Sequence, residues 1–265
     1  MQDLNVTLVQ ANLLWENTSG NLSHFEKLFE KITTTDLIIL PEMFTTGFTM
    51  QSKSLADFME GKSVNWMRSQ AEKKQAVITG SLIIEDDGKY FNRLIWMQPD
   101  GELNYYDKRH LFSLAGEEKH YTPGNRKIFP EVNEWKILPL ICYDLRFPVW
   151  SRQSPPFTEL GAHPYDLLIY VANWPDRRVY AWQQLLIARA IENQCYVAGV
   201  NRVGEDGNGV MHSGHSAIIN PMGERQAEIV GEEAVLQYTL SAENLTRVRE
   251  NLPFLDDRDE FELRR

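Results

Sequence analysis

Apolar positions along the chain follow two periods, and they divide it into strands and helices. Residues 4–9 alternate apolar and polar and are rich in β-formers, which predicts a first strand. Residues 17–32 place Leu22, Phe25, Leu28, Phe29 and Ile32 at helical spacing. Residues 36–42 read as a short buried strand ending in Pro41-Glu42. A helix is predicted over 64–75 and strands over 77–84, 90–98 and 103–106, with Pro99-Asp100-Gly101 turning between the last two. Further strands are predicted at 135–141, 166–171, 196–200, 216–219 and 234–238, and Asn220 to Gly223 reads as a turn. The strongest helix pattern covers 180–193, which is rich in Ala, Leu and Gln. Residues 151–164 carry three prolines and read as a surface loop.

Strands and helices mix throughout, with hairpins and crossovers both present. That predicts an α/β layered fold holding parallel and antiparallel pairs. No compositional break marks a boundary, so one domain over 1–265 is expected, without internal repeats. The tail after Asn251 is charged with a few aromatics and is expected to dock on a partner subunit. A net charge of −10 argues against nonspecific nucleic-acid binding and against an anionic membrane surface. The first residues lack the basic and apolar regions of a signal peptide, and no apolar run approaches the roughly 20 residues that span a bilayer. Two cysteines with no pairing pattern fit a reducing compartment, and a cytoplasmic location is expected.

Four segments share one property: a short apolar strand runs into a polar residue able to do chemistry. They end at Glu42, Lys108, Cys142 and Asn173. In a layered sheet, strand ends converge on one edge, where ligand crevices lie. Cys142 is the sharpest of the four, because the apolar run 137–141 stops abruptly at the thiol. A free thiol is mostly protonated at neutral pH and needs a base. A carboxylate in a partly desolvated pocket serves as one, and Glu42 fits. A nearby lysine favours the thiolate and stabilises an oxyanion, and Lys108 fits. The backbone N–H of Tyr143 is the natural second oxyanion donor.

Plainer readings exist for each residue. Glu42 could cap a following helix. Lys108 could be a solvated loop lysine, Arg146 could pair with Asp144, and Trp174 could be core packing. Cys195, ahead of the predicted strand 196–200, reads as a buried structural residue. A Cys-His dyad using His110, His120 or His215 is a rival to the carboxylate base. His212 and His215 have a spacing that suits a ligand pair, but no companion cluster joins them, and a metal is not expected. No glycine-rich phosphate loop is present.

Taken together, several blocks resemble the nitrilase (carbon–nitrogen hydrolase) superfamily. They are residues 40–44, 107–112, 116–124, 141–148, 173–175, 188–193 and 214–216, and they follow the family's order over nearly the whole chain. The resemblance implies a Glu42–Lys108–Cys142 triad. Counting back from Pro123-Gly124, it puts the family's second glutamate at Glu117. It also implies a four-layer α-β-β-α sandwich that pairs into dimers, acting without metal or organic cofactor. Within the superfamily the segments 142–148 and 173–175 are most similar to those of bacterial omega-amidases, which hydrolyse the terminal amide of 2-oxoglutaramate and related 2-oxo acid amides. Part of that signature also occurs in amidases of deaminated glutathione. The substrate is then a small amide. Arg146 is a candidate to clamp its carboxylate, and Asn173 and Trp174 are candidates to line its pocket. Other amide or carbamoyl hydrolysis, or a noncatalytic binding role on the same fold, are the alternatives.

Overall fold

Thirteen strands form two mixed sheets among the described residues, and the site lies where their strand ends meet. In this computed structural model the described residues are 1–152, 163–259, 261 and 263. The first half of the chain runs β1 (Leu4–Gln10), α1 (Thr18–Phe29), β2 (Leu37–Ile39), α2 (Ser52–Leu55), α3 (Lys62–Lys74), β3 (Val77–Asp86), β4 (Lys89–Met97) and β5 (Leu103–Asp107). The second half runs β6 (Glu131–Val132), β7 (Trp135–Ile141), α4 (Pro148–Ser151), β8 (Leu167–Ala172), α5 (Val179–Asn193), β9 (Tyr196–Asn201), β10 (Val203–Glu205), β11 (Met211–Ile219), β12 (Arg225–Val230), β13 (Ala234–Leu240) and α6 (Ala242–Asn251).

The first sheet has the order β13-β1-β2-β3-β4-β5. Here β1, β2 and β3 are parallel, and β4, β5 and β13 join antiparallel. The second sheet has the order β10-β11-β9-β8-β7-β6, with β12 paired to β11. In it β7, β8 and β9 are parallel and β11 is antiparallel. Side-chain alternation decides what each face meets. Leu4, Val6 and Leu8 of β1, Leu37 and Ile39 of β2, and Leu94 and Trp96 of β4 share one apolar core with the second sheet. Their neighbours Val9, Ile38, Ile95 and Met97 face away, into a core made with α1 and α3.

The second sheet is covered on its far side by α5. Every residue of β8 is buried, as expected for a strand enclosed on both faces. Trp182, Leu186 and Ala190 of α5 enter the core, each large apolar side chain contributing about 1.5–3 kcal/mol by burial. The approach is close enough to require glycine: a Cβ on Gly199 would lie 2.5 Å from Leu186 Cδ1. The result is helix, sheet, sheet, helix, the four-layer α-β-β-α arrangement.

All of the predicted strands and helices form, with shifted ends. The pattern missed α6, because only Ala242, Leu245 and Val248 of that polar segment are buried. Its start was nevertheless signalled, as the Ser241 side chain accepts the Asn244 N–H at 3.2 Å. It also missed β12, a largely exposed edge, and the short β6, β10, α2 and α4. The predicted loop at 151–164 falls mostly outside the described residues, although Ser151 itself ends α4. The segment after Asn251 packs on its own chain at first. Leu255 is buried, and the Leu252 carbonyl accepts from Gln194 Nε2 at 2.6 Å. Among the described residues no helix is long and apolar enough to cross a membrane.

Candidate active site

Three strand ends deliver the central groups. β2 ends just before Pro41-Glu42, β5 just before Lys108, and β7 just before Cys142. Cys142 opens a tight 3-10 turn, Cys142–Arg146, with φ +42°. That left-handed backbone is strained for a residue with a side chain, by about 1–3 kcal/mol, and it turns the thiol out of the strand line. Asp144 holds the turn in place. It is fully buried and accepts from the Ile141 N–H at 3.1 Å, the Tyr106 hydroxyl at 2.7 Å and the His110 N–H at 3.0 Å.

Lys108 is clamped by its backbone: its N–H donates to the Asn92 carbonyl at 3.0 Å, and its carbonyl accepts from Gly124 N–H at 2.9 Å. Gly124 must be glycine, since a Cβ there would stand 2.1 Å from the Asp107 carbonyl oxygen. Asp107 is itself gripped by buried Arg93, Nε to Oδ1 at 2.6 Å and a second nitrogen to Oδ2 at 3.0 Å. The bidentate pair fixes the last residue of β5 and so the lysine after it.

The Lys108 ammonium lies between two buried carboxylates. It donates to Glu42 Oε1 at 2.9 Å and to the two oxygens of Glu117 at 3.0 and 2.9 Å. Asn92 Nδ2 bridges the same carboxylates, at 2.8 Å to Glu42 Oε1 and 3.3 Å to Glu117 Oε1. Glu117 Oε2 also accepts the Phe112 N–H at 2.6 Å. Glu117 is therefore supplied with donors on both oxygens. Glu42 Oε2 takes the Asn173 N–H at 2.8 Å, and the Glu42 carboxylate lies near enough to Cys142 to raise its thiol. Glu42 is thus the carboxylate that meets the thiol.

Electrostatics follow from this packing. Burial lowers the Lys108 pKa, but Glu117 and Glu42 outweigh it and hold the ammonium above its ordinary value. Burial, then Glu42, pushes Glu117 up, against the pull of Lys108. Burial raises the Cys142 thiol well above its ordinary value, Glu42 adds to this, and Lys108 opposes it. Lys108 does favour the thiolate, as expected, but burial and Glu42 pull the other way and leave the thiol raised. Cys195 is fully buried, and burial raises it too, with Arg249 opposing and Asp166 adding to the rise.

The thiol opens on a cavity of about 550 Å³ lined by Glu42, Lys108, Cys142, Tyr143, Arg146, Asn173 and Trp174, among others. All the predicted site residues except Glu117 line it, and Glu117 sits behind Lys108. Arg146 does not pair with Asp144. It is exposed, with its guanidinium 5.0 Å from the Trp174 ring centroid. Trp174 is both wall and core, its ring tilted against Trp182 with centroids 5.5 Å apart. Asn173 has both donors on Glu42, the second to its carbonyl at 2.5 Å, so it positions the carboxylate. No helix starts at Glu42, which removes the capping alternative.

None of the three dyad histidines lines the cavity. His110 Nδ1 is 2.8 Å from Asp144, His120 is exposed, and His215 Nδ1 is 2.7 Å from Glu228. His212 does line it, and burial brings its pKa down to about 4. His212 and His215 have different partners, Gly204 and Glu228.

Sequence reasoning missed Asn92, Asp144 and the arginines at 177 and 178. Asn92 had a signal, a polar pair Asn92-Arg93 inside an otherwise apolar strand. Arg178 had none, since a loop arginine looks solvated until the fold brings its ring neighbours to it.

A family model for carbon-nitrogen hydrolases matches residues 5–250. The omega-amidase YafV of Escherichia coli K12 is 46% identical over 264 residues, 99% of this chain and 100% of that protein. A 2-oxoglutaramate amidase of Bacillus subtilis 168 is 33% identical over 256 residues, 95% of this chain and 96% of that one. Among solved structures, XC1258 of Xanthomonas campestris, a CN-hydrolase superfamily protein with an arsenic adduct in its active site, superposes with a TM-score of 0.97. It is 44% identical, with 100% of each chain covered.

Proposed function

The chain belongs to the carbon-nitrogen hydrolase family, and from that premise we propose that it is an omega-amidase. It hydrolyses the terminal amide of 2-oxo dicarboxylic acid monoamides, 2-oxoglutaramate and 2-oxosuccinamate, to the dicarboxylate and ammonia. Full-length similarity to the omega-amidase of E. coli and to the 2-oxoglutaramate amidase of B. subtilis supports the substrate class. One observation carries the chemistry: a thiol at a strained strand end lines one cavity with a buried carboxylate that is itself tied to a buried ammonium.

Burial and Glu42 both hold the thiol pKa up, so proton transfer to Glu42 accompanies attack. Glu42 takes the thiol proton as Cys142 Sγ bonds to the amide carbon. The carbonyl oxygen becomes an oxyanion. Its donors are the Tyr143 N–H, one of the orphan groups at the start of the turn, and Lys108, which turns one N–H from a carboxylate toward it. Glu42 then returns the proton to the leaving nitrogen, the C–N bond breaks, and ammonia departs from a thioester. Water gives a proton to Glu42 and attacks the thioester carbon. The C–S bond breaks, the thiolate recovers the proton, and the carboxylic acid leaves. Glu117, with both oxygens supplied with donors, holds Lys108 in register and leaves the proton traffic to Glu42. Arg146 takes the substrate carboxylate over the Trp174 face.

The protein works without metal or organic cofactor, in the cytoplasm, as a homodimer; its two free cysteines agree with a reducing compartment. The experiment is ammonia release across 2-oxoglutaramate, 2-oxosuccinamate, glutamine, a simple nitrile and a deaminated peptide. The 2-oxo acid amides are expected to lead in kcat/KM. Preference for the peptide would move the enzyme to another amidase branch, and no ammonia from any amide would leave a noncatalytic binder.

A further inference from the structure

Resting on that reading of the substrate class, we propose that Arg178 is a specificity-determining residue: with Arg146 it binds the carboxylate end of the substrate and disfavours amides carrying an ammonium beside that carboxylate. The two arginines come from different elements. Arg146 ends the turn that begins with the nucleophile, and Arg178 ends the short 3-10 segment Asp176–Arg178 after β8. Both line the cavity that holds the thiol.

Each guanidinium lies on an aromatic ring, Arg146 at 5.0 Å from Trp174 and Arg178 at 5.2 Å from Phe112. Rings hold the cations without neutralising them. Among the described residues neither arginine has a carboxylate partner, although acids outnumber bases in this chain and its net charge is −10. Arg178 is half-buried, and its pKa is lowered by burial, then by Arg177 and Arg146, while Cys142 opposes. Cations that lose solvent and repel one another stay together at a cost, which an arriving anion removes. The backbone fixes the placement, because the Arg178 carbonyl accepts from Trp174 Nε1 at 2.9 Å. The loop that carries Arg178 is thereby pinned to the wall that carries Arg146.

This geometry separates two substrates that share an amide end. 2-Oxoglutaramate brings a carboxylate next to a neutral ketone. Glutamine brings the same carboxylate next to an ammonium, which meets the repulsion of Arg146, Arg177 and Arg178. Discrimination then arises at the carboxylate end, away from the bonds that change.

The test compares wild type, Arg178→Gln and Arg178→Lys on 2-oxoglutaramate, glutamine and neutral pentanamide. For Arg178→Gln, KM for 2-oxoglutaramate is expected to rise by roughly 10- to 100-fold with kcat within a few-fold. Pentanamide should lose no more than a few-fold in kcat/KM, and the preference for 2-oxoglutaramate over glutamine should narrow. Arg178→Lys should recover part of the affinity. An equal loss on all three substrates, or an unchanged KM for 2-oxoglutaramate, would overturn the assignment. A second arm does not depend on turnover. 2-Oxoglutarate should slow alkylation of Cys142 by neutral iodoacetamide in wild type and do so much less in Arg178→Gln; equal protection in both would also refute the role. Wild type that is protected by 2-oxoglutarate yet releases no ammonia from 2-oxoglutaramate would sink the amidase reading while leaving the anion site standing.

Discussion

The two sheets bring opposite kinds of chemistry to one cavity. From the first come Glu42, Asn92 and Lys108, joined by Glu117 from the loop after β5, all buried and all bonded to one another. From the second come Cys142, Arg146 and Arg178, half-buried or exposed, with the cations lacking carboxylate partners among the described residues. A buried charge survives only if compensated, so the charges of the first wall are paired with one another before a ligand arrives. A cation without a carboxylate partner can take up the anion of an arriving ligand. The difference teaches where each task sits: proton transfer belongs to the closed wall, and recognition to the open one.

Neutralising one cation on each wall breaks the comparison most sharply. Lys108→Met leaves Glu42 and Glu117 facing each other without their shared ammonium. It is expected to lower kcat/KM by more than about 1,000-fold and to destabilise the fold by roughly 3–5 kcal/mol. Arg146→Gln should instead raise KM for 2-oxoglutaramate by about tenfold and shift stability by less than about 0.5 kcal/mol. Kinetics and denaturant melts on the pair check this, and similar stability losses from both would erase the distinction.

Asn92→Leu probes the closed wall from within. Both carboxylates would lose a donor at Oε1, and Glu117, already pushed up by burial, should hold a proton more readily. A loss of about 10- to 100-fold in kcat is expected, with the acid limb of the pH–rate profile moving to higher pH. A proportional loss at every pH would make Asn92 a packing residue only.

A pH-dependent effect on stability sits at His212, on the cavity wall. His212 has its pKa brought down to about 4 by burial, with Arg202 adding to this, against an unfolded value near 6.5. The unfolded chain therefore protonates first as pH falls. Stability tied to His212 is whole above about pH 6.5 and is lost on the way to pH 4, up to roughly 3 kcal/mol. His212→Gln should flatten that slope in melts from pH 7 to 4, while His163, also near 4, keeps the rest. An unchanged slope would contradict the assignment.

The legibility of the sequence divides along the same line. Residues at the ends of apolar runs, Glu42, Lys108 and Cys142, could be read because a strand must stop where its polarity changes. The mixing of strands and helices predicted a layered α/β fold, while the order of the four layers came from the family resemblance. Asn92 and Asp144 were missed because a single polar residue inside a strand or turn gains meaning only from its partners across the fold. The state of the thiol was also beyond reach, since Lys108 and Glu42 act on it oppositely and only their arrangement decides the sum. The α6 helix escaped because its stability comes from docking Leu245 and Val248, not from its own periodicity.

Intact-protein mass spectrometry on rapidly quenched turnover of 2-oxoglutaramate bears most directly on the proposed chemistry. The account predicts an adduct equal to substrate less ammonia, mapped by peptide digestion to Cys142 and absent from Cys142→Ala. Ammonia release with no acylated Cys142 in quenched samples, or an adduct on Cys195 instead, would contradict it.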